Sequence, residues 1–159
     1  MNIAPVFSIL GVLLTILSAT MLIPMLVDIS LGYQNWFGFA SAALISCFVG
    51  ISLWLTNRSK QELNLGLKEA FLLTNSAWVL SGIFGALPFL FSDLRLSFTD
   101  ALFESISGIT TTGSTILTTI ELASPGIILW RALLQWLGGI GIIVMALAIL
   151  PILSIGGMQ

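Results

Sequence analysis

The chain has 159 residues, 57% of them hydrophobic and 8% charged, with a formal net charge of -2. Soluble domains carry about 25% charged residues, so a soluble globular protein is excluded, and without a basic patch no nucleic-acid partner is expected. The sequence has no histidine, and Cys47 is its single cysteine. A histidine-based triad, a CxxC redox pair and a Cys/His zinc site are therefore excluded, and no enzyme is expected.

Four stretches carry no Asp, Glu, Lys or Arg: 1–27, 29–57, 70–92 and 132–159. Each exceeds the roughly 20 residues that cross a bilayer as a helix. The expected fold is an all-α integral membrane protein with four spans, embedded in membrane lipid. The first stretch lacks a basic n-region and is too long for a signal peptide, so it reads as a transmembrane helix. Span one is predicted over 5–27, with Pro5 in its first turn and Pro24 kinking or ending it. Residues 28–35 then form a short polar turn, with Asp28 in it and Tyr33 and Trp36 at the interface. Span two covers 36–56, with Trp54 as its second interfacial aromatic. Cys47 lies within this span as an apolar filler.

The 57–68 connection holds Arg58, Lys60 and Lys68, three of the five basic residues. The positive-inside rule places it, and hence the N-terminus, in the cytoplasm. Residues 1–68 form an N-terminal helix pair with its cytoplasmic loop. Residues 69–159 form a second unit, with an outer helix over 69–91 ending near Pro88 and an inner helix over 127–150 ending at Pro151.

Between those helices, 92–126 starts and finishes outside. Its uncharged portion, 105–120, is too short and polar to cross and too apolar to float in water. The remaining option is a re-entrant hairpin. Ser97 and Asp100 make a capping-box-like start, and Asp100 complements the helix dipole. A half-helix is expected over 98–107, about 15 Å long, with Gly108 as its left-handed stop. Residues 108–115 read Gly-Ile-Thr-Thr-Thr-Gly-Ser-Thr, a ribbon suited to turning main-chain carbonyls toward an ion. Irregular backbone at membrane depth survives only inside protein or beside a water-filled cavity.

The run from Asp100 to Thr115, together with 129–144 (Leu-Trp-Arg-Ala-Leu-Leu-Gln-Trp-Leu-Gly-Gly-Ile-Gly-Ile-Ile-Val), closely resembles the first pore repeat of the TrkH family within the Trk/Ktr/HKT superfamily. Residues 1–68 resemble that family's extra N-terminal helix pair. The resemblance implies potassium import across the bacterial inner membrane, a homodimer, and a cytosolic TrkA-type nucleotide-binding regulatory subunit. It implies K+ as the bound ion and no organic cofactor, with the membrane potential as driving force and a coupled ion (symport) left open. It also implies four pore repeats in one polypeptide, whereas one is present here. An N-terminal part of a longer protein is therefore expected, and the alternative is a non-conducting membrane helix bundle or a truncated fragment.

Thr110, Thr111, Thr112 and Gly113 match the family's filter, with Thr111 and Thr112 the leading carbonyl ligands for K+. The threonine hydroxyls are expected to brace the ribbon from behind. Glu104 and Gly108 are its expected supports, and Glu104 would act as a strut to the filter backbone or as a charge that attracts cations. Asp93, Asp100, Glu104 and Glu121 against Arg95 give a local charge of -3 at the outer mouth. Arg131 beside Trp130 reads as an interfacial anchor, or alternatively as a partner for an acid of the hairpin. Gly82, Gly85, Gly138, Gly139 and Gly141 read as close-packing sites.

Overall fold

The computed structural model describes residues 3–58, 66–118, 120 and 123–155. Among the described residues six helices follow one another: α1 (Ala4–Ser30), α2 (Trp36–Asn57), α3 (Leu67–Gly85), α4 (Leu87–Leu90), α5 (Phe98–Ile109) and α6 (Pro125–Ile155). Among the described residues the chain is all-helical, and α1, α2, α3 with α4, and α6 are long and apolar enough to cross a membrane. The four expected spans are present.

α1 and α2 form an antiparallel hairpin that packs through small residues. Ala42 and Ala43 are buried in α2, and Ser18 of α1 donates to the Ala43 carbonyl at 2.8 Å. Such residues let membrane helices approach closely. Pro24 neither ends α1 nor leaves its interior. It is buried within the helix, which runs on to Ser30, because packed neighbours tolerate a missing backbone bond in a membrane helix. The backbone of α6 likewise continues past Pro151 to Ile155. Pro88, by contrast, does interrupt its helix. It offers no N–H to the Phe84 carbonyl, and the chain breaks at Ala86 into α3 and the single turn of α4.

Asp28 does not lie in a polar turn. It sits within α1 with no exposed surface, and the turn spans only 31–35. Tyr33, Trp36 and Trp54 are exposed, as interfacial aromatics should be, and Arg58 lies over the Trp54 ring at 5.2 Å. Lys60 and most of the basic connection fall outside the described residues.

The core gathers Leu14, Leu17 and Met21 of α1, Phe39 of α2, Phe89 of α4, Ala101 of α5, and Ile127, Trp130 and Leu134 of α6. Trp130 is fully buried rather than interfacial. Its ring meets Phe39 edge-on at 6.4 Å, and its Nε1 donates to the Gly85 carbonyl at 3.0 Å. This core holds α5 from behind and leaves the segment after it facing outward.

Candidate ion-filter site

α5 begins as its sequence dictates. Ser97 is extended (φ -64°, ψ 161°), and its Oγ accepts from the Asp100 N–H at 3.2 Å while donating to Asp100 Oδ2 at 2.8 Å. One face of the helix, with Ala101, Glu104, Ser105, Ser107, Gly108 and Ile109, is buried. Phe103 and Ile106 face outward.

The other end differs from expectation. The helix runs two residues past Ser107, to Ile109. Gly108 is a buried helical residue packed against Leu134, and the left-handed position falls on Thr111, with φ 60°. The Thr111 N–H donates to the Gly108 carbonyl at 2.9 Å and the Thr112 N–H to the Ser107 carbonyl at 3.0 Å, which is the Schellman pattern of a helix C-terminus. A β-branched residue with positive φ is an outlier. The cause is tertiary. Gly138 brings α6 so near that a Cβ on it would run into the Ile109 carbonyl, and Gly108 meets Leu134 of the same helix. The last turn of α5 is clamped as helix, and the reversal shifts to the first residues beyond the clamp. Of the other glycines singled out, Gly82 and Gly85 pack against Ile106 and Ser105, Gly141 only grazes Trp78 at 3.9 Å, and Gly139 faces open space.

The bonds of this reversal also orient the ribbon. The N–H groups of Thr111, Thr112 and Gly113 all turn back into α5, the last to the Ser107 carbonyl at 3.2 Å. The peptides here are trans, and in a trans peptide C=O points opposite to N–H. The carbonyls of Thr110, Thr111 and Thr112 therefore point away from α5, in the sense of the helix's own carbonyls. Among the described residues, none of the four carbonyls of 110–113 accepts a hydrogen bond. Gly113 takes φ 78°, which costs glycine little.

Beyond Gly113 the ribbon is stapled. The Ser107 hydroxyl donates to the Ser114 carbonyl at 2.6 Å. Glu104 Oε1 accepts from the Thr115 hydroxyl at 2.6 Å and from the Ile116 N–H at 2.7 Å. Arg131 of α6 places Nη1 2.9 Å from Glu104 Oε2, an ion pair without hydrogen-bond alignment, and donates from the same nitrogen to Thr115 Oγ1 at 2.6 Å. Glu104 is fully buried and Arg131 nearly so, as a paired buried charge must be.

Arg131 is thus the partner of Glu104 rather than an interfacial anchor. The pair leaves no unbalanced charge behind the ribbon, so Glu104 adds little to an acidic mouth. Asp93 and Arg95 are exposed at that end, and Glu121 falls outside the described residues. The bracing hydroxyls are those of Ser107 and Thr115. Thr110 Oγ1 instead bonds back to the Ile106 carbonyl at 2.8 Å on the exposed side and meets Thr112 Oγ1 at 2.9 Å. Ser107 was legible only as a hydroxyl in the last turn of an amphipathic helix. Thr115 was legible only as the end of the threonine-rich octet.

The cation transport protein family TrkH matches residues 37–159. The chain belongs to the TrkH family. It is 44% identical over its whole length to the Trk system potassium uptake protein TrkH of Escherichia coli K12, covering 33% of that protein. It is 43% identical to TrkI of Halomonas elongata over 98% of the chain and 32% of that protein, and 36% identical to TrkG of E. coli K12 over 92% and 30%. The crystal structure of the potassium transporter TrkH from Vibrio parahaemolyticus superimposes with a TM-score of 0.91 at 39% identity, over all of this chain and 34% of that one. The chain spans about a third of the length of these relatives. Family membership and the four apolar helices make it a multi-pass membrane protein.

Proposed function

We propose that this chain contributes to potassium uptake across a bacterial inner membrane and that residues 110–113 supply one of four filter segments. The observation that carries this reading is the ribbon of carbonyls at Thr110, Thr111, Thr112 and Gly113, unbonded among the described residues, with Ser107 and the Glu104–Arg131 pair stapling the chain just beyond it at Ser114, Thr115 and Ile116. A potassium ion sheds water to enter a narrow pore, and backbone carbonyl dipoles replace that shell. The neutralised Glu104–Arg131 pair suits this, since selection would rest on dipoles and spacing rather than on a fixed charge.

In this reading α5 enters from the periplasmic side. Its 12 residues extend about 18 Å, a little over half of the ~30 Å hydrocarbon layer. The negative end of its dipole would then face a cation near mid-depth. The N-terminus is cytoplasmic, and four ribbons ring the ion, one of them from this chain. The relatives named for Trk potassium uptake support K+ as cargo. A homodimer, a cytosolic TrkA-type regulatory subunit and a coupled ion belong to the same proposal.

The test is Gly113→Ser in an assembled pore. A serine at φ 78° strains the ribbon, so the ratio of rubidium to sodium uptake should fall. An unchanged ratio overturns the filter reading.

A further inference from the structure

Asp28 is a fully buried carboxylate in the N-terminal hairpin, and the filter reading does not use it. Its partners lie almost a hundred residues away. Oδ2 accepts from the Ser124 hydroxyl at 2.9 Å, and Oδ1 accepts from the Gly126 N–H at 2.8 Å. Ser124 and Gly126 frame the start of α6, so Asp28 caps that helix from another part of the chain. Helix N-termini carry free N–H groups and a partial positive charge, which favours a carboxylate there. Among the described residues the one ion pair is that of Arg131 and Glu104, so the α6 terminus is what balances Asp28. The fit is tight, because a Cβ on Gly126 would collide with the Asp28 carboxylate.

One turn further along α6 stand Trp130 and Arg131, adjacent in sequence and committed to different neighbours. Trp130 packs on Phe39 of the hairpin. Arg131 reaches Glu104 and Thr115 beneath the ribbon. The first two turns of α6 therefore form a rigid link with the hairpin on one side and the filter support on the other.

We propose that Asp28 is a positioning residue for the filter: by capping α6 it sets the height and rotation at which Arg131 meets Glu104 and Thr115. The N-terminal hairpin is then part of the selectivity apparatus and not merely a membrane anchor. Hydrogen bonds hold within a few tenths of an ångström, so a modest slip of α6 would loosen the Arg131 contacts and with them the ribbon. This inference rests on the filter reading above.

The experiment compares Asp28→Ala, Asp28→Asn and Ser124→Ala with Gly113→Ser in an assembled pore. Rubidium and sodium uptake are each normalised to the amount of protein in the membrane. Loss of stability alone lowers both fluxes together and leaves their ratio unchanged. A positioning role lowers the rubidium-to-sodium ratio, by about tenfold for Asp28→Ala, since small misplacements of a working geometry carry large rate effects. Asp28→Asn, which keeps an acceptor, should lower it less. If Asp28→Ala does not reach the membrane, Asp28→Asn and Ser124→Ala decide. A ratio lowered by Gly113→Ser and untouched by the Asp28 and Ser124 variants overturns the positioning role and leaves the filter standing. A ratio untouched by Gly113→Ser overturns both.

Discussion

The two ends of α5 are built by different means. The front is local: Ser97 caps the helix through Asp100, three residues away, and the whole device can be read from four consecutive residues. The back is held from a distance. Gly138, Leu134 and Arg131, all on α6, define where the helix stops and how the ribbon leaves it. A helix start needs one side-chain acceptor for its free N–H groups. This helix end must also hold a ribbon of open carbonyls, and Ser107 and Glu104 of α5 brace it only together with Arg131 of α6.

The largest expected effect breaks the remote end. Glu104→Ala removes the ribbon's anchor and leaves Arg131 buried without its partner, at a cost of about 3–5 kcal/mol. A large drop in the thermal unfolding temperature of the detergent-purified protein would show it. A variant as stable as the original would mean that Arg131 finds another acceptor.

Next comes Gly138→Ala, which pushes α6 off the Ile109 carbonyl. Overpacking of this kind costs about 1–3 kcal/mol, and the same melting measurement reads it. An equal effect at Gly139, which has open space around it, would show that the loss reflects glycine content and not the contact.

The front end should be less sensitive. Ser97→Ala loses one cap, worth about 1 kcal/mol, and should leave the rubidium-to-sodium ratio unchanged. A shifted ratio would erase the distinction between the two ends.

Smallest is Thr111→Gly, which relieves the left-handed strain at a backbone-entropy cost and should raise stability by about 0.5 kcal/mol. Ion uptake should survive, because the proposed ligand is a main-chain oxygen. Lost uptake would mean that the Thr111 side chain itself is required.

Much of this arrangement was legible in the sequence. Four uncharged stretches predict four spans, because burying a charge in lipid is expensive. The Ser97 cap and the threonine-glycine octet place a short helix and a ribbon between spans three and four. Gly108 shows where local reading stops: glycine is a sound helix terminator on its own, but packing against Leu134 kept it helical. Asp28 misled for the same reason. A lone aspartate after an apolar run reads as the start of a turn, and nothing nearby announces that its partners are Ser124 and Gly126.

Hydrophobicity, caps and backbone preference act over a few residues, so the chain by itself determined its helices, their order and the composition of the ribbon. The tertiary structure alone decided what each buried carboxylate met. Asp28 and Glu104 each require partners from α6, and only the packing of that helix against the hairpin and α5 brings those partners within hydrogen-bond reach.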